Sequence, residues 1–357
     1  STIVTNAGNP AFFMGTADFN TATENYVQNL GGYGIYLISG ADDNIISLSS
    51  IISNAAGYAA VYLDGSDRNT VTGSFLDNQA GFGLDLEPGS DFNIISLSTM
   101  IGGGSDQALY IKQSSTNSVL DCYVQGSTGA LISGSTGTVI DSTLFVATNT
   151  IGSALTFAAS CVNLSLTSST FRAPDQGRGL YLNTGNGGSV TLSSVTFVGA
   201  ARGMEVSTQA ASFTLDIDNI NFRELALGAT AMHFLGGNII TTVTAANFED
   251  TTIDVNVNAA PLSSTSRITM NAHYGLRTGS TYERDPLALV SWELGYPGCA
   301  LTRNVGASQD YATIAQGLAA LPTTLTGHFC VVIRDGATYP EQVKVQNFTN
   351  NGSSITI

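Results

Sequence analysis

Along this chain, short runs in which one residue sits between two apolar ones return at a nearly constant interval. The pattern is set by GIYLISGADDN (34–44), AVYLDGSDRN (60–69), GLDLEPGSDFN (83–93) and ALYIKQSSTN (108–117). Looser copies start at Ala154 (ALTFAAS), Gly179 (GLYLNTG), Gly203 (GMEVSTQ) and Ala231 (AMHFLGG). The middle residues are Tyr36, Tyr62, Asp85, Tyr110, Thr156, Tyr181, Glu205 and His233, with steps of 26, 23, 25, 46, 25, 24 and 28, the 46 holding two turns of 23. Apolar–x–apolar is the two-residue period of a strand. Its return about every 24 residues means that one supersecondary unit is stacked on the next. The flanking pairs, from Ile35/Leu37 to Met232/Phe234, then form inward columns, and the middle residues form an outward column with a rise of ~4.8 Å per step.

A second strand pattern follows most copies, as in NIISLSS (44–50), NTVTGSF (69–75), NIISLST (93–99), NSVLDCYV (117–124) and SVTLSSVTF (189–197). Strand, turn and strand in each coil, with almost no helical period, predict an all-β right-handed parallel β-helix. Asn44, Asn69, Asn93 and Asn117 fall seven or eight residues after the outward column. Asn tolerates the left-handed conformation of tight turns, and stacked side-chain amides can bond from coil to coil. In this the chain resembles pectate-lyase-like β-helices with their asparagine ladder. The copy near Leu131 has neither the Asn nor a clean inward pair, so the pattern weakens there.

Charge narrows the partners. The formal net charge is -15 and Lys occurs only as Lys112 and Lys344. That excludes nucleic acid, which requires clustered Lys and Arg, and it opposes an anionic membrane surface. No run of about 18 apolar residues exists, so no membrane insertion is expected, and no signal peptide is read at the start of the sequence. At 357 residues a solenoid grows linearly, and length is a poor guide to domain number.

The repeat fades after about Asp254, which places a parallel β-helix at 1–260 and a connection at 261–300. From 301 to 357 the character changes. Tyr311, Ile314, Leu318 and Leu321 have the spacing of an amphipathic helix near 309–321, with Ser308 as N-cap and Pro322 as the stop. Strands are predicted at 330–336, 341–346 and 353–357. This stretch, with VIRDGATYPEQV, resembles the N-terminal end of pectin-methylesterase-like β-helices, which implies a capping helix and the first coils of a following solenoid. Cys299 and Cys330 flank the helix and could pair, a loop closure of about 3 kcal/mol. Cys122 and Cys161 read as buried small hydrophobes.

Neither end of the sequence reads as capped, since SSITI followed by STIVT would continue the strand pattern. An open coil offers unpaired N–H and C=O groups for strand addition. The leading expectation is therefore a structural, extracellular or cell-surface solenoid, similar to modules of large repetitive bacterial surface proteins. It would stack head to tail on copies of itself, or on neighbouring modules of one chain, into a filament. Ile3, Val4, Phe12 and Phe13 would receive, and Val331, Ile333, Val343, Val345, Ile355 and Ile357 would donate.

The alternatives are a carbohydrate-binding or polysaccharide-cleaving β-helix, and an adhesin. Complete catalytic motifs are missing: Asp42–Asp43 lacks a His in register, and Arg172 and Arg178 around APDQG are spaced one position away from the pectate-lyase pattern. The expectation is no enzyme, no cofactor and no catalytic or metal residue. Tyr36, Tyr62, Asp85 and Tyr110 are candidates for carbohydrate contact. Asp85 with Glu87 offers oxygen ligands for calcium, or simply a solvated polar face. Glu205 and His233, on adjacent steps of one column, read as an acid–base pair or as a surface salt bridge.

Overall fold

In the computed structural model, residues 1–357 are described apart from 159, 211–212, 250, 259–265, 271–280, 286, 288, 293–298, 308, 334–336 and 351. Three long parallel sheets run the length of the main body. Sheet A has 11 strands, from Thr2–Thr5 to Ala246–Phe248; sheet B has 12, from Phe12–Gly15 to Thr281–Arg284; sheet C has 12, from Thr21–Thr23 to Val290–Trp292. The chain visits A, B and C in turn, so each strand up to Ile240–Val243 pairs with the strand three elements later, while Ile253–Val257 and Arg267–Met270 pair with the strand two elements later. The register is continuous through the weak copy: Tyr110 pairs with Leu131 and Leu131 with Thr156. Ala130 and Ile132 fill the inward positions there, both fully buried.

The interior is one apolar column assembled from alternate residues of all three sheets, including Ile35, Leu37, Leu84, Leu86, Leu180 and Leu182. On sheet A its later part is a pile of rings: Phe145, Phe171, Phe197, Phe222 and Phe248 stack with centroids 5.5, 5.2, 5.1 and 5.4 Å apart. Cys122 and Cys161 are buried free thiols within this body, and burial raises both of their pKa values.

Side-chain ladders hold the corners. Between sheets B and C, the Oδ1 atoms of Asn44, Asn69, Asn93 and Asn117 accept the backbone N–H groups of Asn20, Asn44, Asn69 and Asn93 at 2.8, 2.8, 2.7 and 2.7 Å. The asparagines are not themselves the left-handed residues. Those are their predecessors Asp43, Arg68, Phe92 and Thr116, with φ of 57°, 53°, 56° and 57°. Turning the chain one residue early frees each Asn side chain to reach along the axis. Between sheets C and A, Ser49, Ser74 and Ser98 do the same through Oγ, accepting from Asn25, Ser49 and Ser74 at 3.0, 3.2 and 3.1 Å. Backbone donors that the turn would otherwise orphan are satisfied in both places.

The C-terminal part departs from the sequence reading in several ways. Sheets B and C run past residue 260, because Arg267–Met270, Thr281–Arg284 and Val290–Trp292 still pair with them. The helix is shorter than 309–321: it spans Ile314–Ala319 and is capped by Thr313 Oγ1. Glu341, 27 residues away, accepts from the Ile314 N–H at 2.8 Å and supplies the rest of the cap. The expected N-cap Ser308 lies outside the described residues. Residues 341–346 join no sheet, while Leu301–Val305, His328–Ile333 and Ser354–Thr356 form a separate three-stranded parallel sheet. Ile314, Leu318, Leu321 and Val331 build a second small core there. A disulfide joins Cys299 to Cys330 with Cα atoms 5.8 Å apart.

Candidate functional site

The outer face of sheet B is where the chain collects its unusual side chains. Its central column follows the strand register from Phe13 through Tyr36, Tyr62, Asp85, Tyr110, Leu131, Thr156, Tyr181, Glu205 and His233 to Asn256. Two residues further on in each strand, Asp64 pairs with Glu87, and Lys112 salt-bridges Glu87 at 2.9 Å. The turns from sheet A add Tyr33 and Tyr58 along the other margin.

These turns change the first part of the column from a row of rings into a cluster. Tyr33 lies 5.0 Å from Tyr36, 4.8 Å from Tyr58 and 4.6 Å from Tyr62, centroid to centroid. Phe13 stands edge-on to Tyr36, and Phe82 stacks on Tyr110. The Tyr33 hydroxyl is pushed up to about 12, first by burial and then by the surrounding phenol and carboxylate groups; Tyr62 is raised further by the same burial. At neutral pH the Tyr33, Tyr36, Tyr62 and Tyr110 phenols are uncharged, so the cluster is an apolar surface edged with hydroxyls.

Asp85 lies within this surface, paired in register with Tyr62 on one side and Tyr110 on the other. It is not the solvated carboxylate of the sequence reading. Only 5% of it is exposed, and its Oδ1 is cut off from water with no hydrogen-bond partner. Burial, with Glu87 next in weight and Lys112 opposing, pushes its carboxyl up to about 8. An acid kept uncharged at pH 7 in an aromatic setting is a feature of binding and catalytic sites.

Five steps along the same column, Glu205 is also buried, at 1% exposure. Arg178 Nε donates to its Oε1 and Arg202 NH1 to its Oε2, both at 2.6 Å, and the Arg178 guanidinium also covers the Tyr181 ring. His233 Nδ1 lies 3.2 Å from Glu205 Oε2, with Asn258 Oδ1 3.2 Å from its other nitrogen. Burial raises the Glu205 carboxyl, but the His233 hydrogen bond and the Arg178 and Arg202 charges outweigh it and hold the group below the usual range. The pair expected at the surface is thus a buried anion that ties three coils together. Arg178, engaged by this anion, is not a free base. The Asp42–Asp43 pair is bridged by the exposed Arg68 at 3.0 and 2.9 Å and serves the turn.

The residues expected at an assembly interface divide. Val331 is buried in the small C-terminal core, with Ile355 packed on it, and Ile3 and Phe12 pack on the main core. Val4, Phe13, Val345 and Ile357 are 50% exposed or more, and Ile333 and Val343 slightly less. Among the described residues, one group of metal-ligating atoms lies within 4.8 Å, that of Cys299, His328 and Cys330, and its two sulfurs are bonded to each other. Among the described residues, Asp85 and Glu87 are not part of a group of three or more His, Cys, Asp or Glu side chains at such spacing.

The right-handed beta helix region family matches residues 10–171, the part of the chain where the three sheets and the asparagine ladder are most regular. The chain is a right-handed parallel β-helix. Among solved structures, this β-helix superposes on the tailspike protein gp49 from Pseudomonas phage LKA1 with a TM-score of 0.50 and 12% identity, over 76% of this chain and 51% of the tailspike. The chain thus spans about half the length of that protein. Alginate lyase from Paenibacillus sp. str. FPU-7 follows with a TM-score of 0.42 at 11% identity, covering 75% and 97% of the two chains. PfbA, a surface adhesin of Streptococcus pneumoniae, gives 0.42 at 11%, covering 78% and 79%. No curated protein sequence matches. No helix among the described residues is long and apolar enough to cross a membrane.

Proposed function

We propose that this β-helix is an extracellular or cell-surface glycan-recognition protein, and that the outer face of sheet B around Asp85 holds the sugar chain. The observation that carries the reading is the buried Asp85 carboxyl, its Oδ1 without a partner, between Tyr62 and Tyr110 and beside the Tyr33–Tyr36–Tyr58 cluster. Aromatic faces cover the apolar faces of pyranose rings, and a buried polar atom without a partner is costly until a hydroxyl or amine reaches it. Successive coils repeat at ~4.8 Å, close to the length of one sugar residue, so a chain laid along the column meets a new side chain at each step. The reading is one of binding. Glu87, the carboxylate nearest in sequence, is engaged by Lys112 at 2.9 Å, which removes it as a free partner acid.

The test is retention of the purified chain on a panel of immobilised polysaccharides, alongside a Tyr36→Ala/Tyr62→Ala variant. Retention on at least one polysaccharide, weakened about tenfold or more in the variant, supports the reading. No retention on any member, or equal retention of the variant, removes it.

A further inference from the structure

Resting on the glycan reading, we propose that the face around Asp85 selects a sugar bearing a free ammonium group, so that its ligand is an amino-sugar glycan and not a neutral or uronate one. The charges that face Asp85 give the reason. Glu87, Asp106 and Asp64 all add negative potential at its carboxyl, and Lys112 alone opposes them. That lysine is already committed, with Nζ 2.9 Å from Glu87 Oε2. The other titratable groups close by are the phenols of Tyr33, Tyr62 and Tyr110, which are raised and uncharged.

A uronate brought to this face would meet four carboxyl groups and one spoken-for amine, in a chain whose formal net charge is already -15. A neutral hydroxyl could satisfy Asp85 Oδ1 but would leave the local field uncompensated. An ammonium group does both. It draws the Asp85 carboxyl round so that the orphaned oxygen, out of water's reach in the unliganded face, meets the donor; it supplies the missing positive charge where desolvation makes an ion pair strong, and tyrosine faces attract a cation within about 6 Å of the ring centroid. The Tyr62 ring, in register beside Asp85 and partly exposed, is placed for that contact.

The step balances as a proton release. Before binding, the Asp85 carboxyl holds its proton at neutral pH, since burial pushes it up to about 8. On binding, the O–H bond breaks, the proton passes to buffer, and carboxylate and ammonium form the ion pair.

The experiment is isothermal titration of the whole chain with β-1,4-linked pentamers of glucosamine and N-acetylglucosamine and with the α-1,4-linked pentamer of galacturonate, at physiological salt and about pH 6, where the glucosamine amines are still largely protonated. Each titration is run in two buffers of different ionisation enthalpy. The expected result is that the glucosamine pentamer binds about tenfold or more tightly than the N-acetyl pentamer, with proton release, and that galacturonate binds least. Asp85→Asn, nearly isosteric, should lower the glucosamine pentamer to the N-acetyl level and abolish the release while the circular dichroism spectrum stays unchanged. Equal binding of the glucosamine and N-acetyl pentamers, or an Asp85→Asn variant that keeps the preference, overturns ammonium selection and leaves the glycan reading standing. Preference for galacturonate overturns it as well. Failure of all three pentamers, together with failure of the polysaccharide panel, removes the glycan reading itself.

Discussion

Asn93 accepts the backbone N–H of Asn69 through its side-chain oxygen at 2.7 Å, and its own N–H is taken by Asn117 at the same distance. Each asparagine is therefore both a fixed and a fixing element of the corner. Asn93→Ala should leave the buried Asn69 donor without a partner and cost about 1–3 kcal/mol. Chemical denaturation should show the loss, with Asn93→Ser falling between the two. A change below a few tenths of a kcal/mol would mean that the ladder is a consequence of stacking and not a cause.

The ring stack allows a second prediction. Phe197 is fully buried and touches Phe171 and Phe222 at centroid distances of 5.2 and 5.1 Å. Phe197→Ala should cost about 3–5 kcal/mol, and Phe197→Leu considerably less, because Leu refills most of the cavity. Hydrogen exchange is the sharper readout. Since coils contact only their neighbours, protection should fall most in the coils next to the cavity.

These two features differ in how far the sequence disclosed them. The asparagines share one identity at one offset from the outward column, so a reader of the sequence finds them. The phenylalanines also recur, with steps of 26, 26, 25 and 26 between Phe145 and Phe248, but on a strand that the outward-column pattern does not mark. That periodicity was the available signal. The serine ladder hides because Ser is common everywhere in the chain. The burial of Asp85 was not legible at all, for a carboxylate at an outward position of a strand reads as solvated. The helix start was missed for another reason: Thr313 caps it together with Glu341, which is distant in sequence and adjacent only once the chain has folded back. Val343 and Val345 alternate like a strand, yet no neighbouring strand takes their hydrogen bonds, and both remain exposed.

Asp85 also makes stability depend on pH. Its folded pKa, about 8, is above the unfolded value of about 3.9. The unfolded chain therefore ionises first as pH rises, and the group's contribution to stability is greatest below about pH 4 and falls up to about pH 8. Asp85→Asn should be close to wild type in acid and more stable near neutrality, with the gap widening by at most about 1.4 kcal/mol per pH unit between those limits. Urea midpoints at three pH values would show it, and a gap that does not grow with pH would mean that Asp85 is ionised in the folded protein. A residue that weakens the fold at working pH fits a site retained for binding.

The Cys299–Cys330 disulfide closes a loop with a sequence separation of 31, worth about 3–4 kcal/mol by loop closure. Val305, Ile314, Leu318 and Val331 belong to a core distinct from that of the three sheets. Reduction, or Cys330→Ser, should make 299–357 open to protease at lower temperature while the main transition moves little. A matching fall of the main transition would show the two cores to be energetically joined.

The corner ladders have a mechanical consequence. Backbone bonds between coils point along the solenoid axis, and the amide and hydroxyl bonds of Asn44 to Asn117 and Ser49 to Ser98 lie beside them in the same direction. Tension applied along the axis is therefore carried in series. Each coil transmits the whole load to the next through a few short bonds, and rupture begins at the coil where a ladder lapses. Next to Asn117, the last of the asparagine series, the place of the next amide is taken by Thr138, whose hydroxyl has no partner, so the load at that corner falls on the backbone bonds and on Ser135, whose hydroxyl accepts from the Ser114 N–H at 3.4 Å.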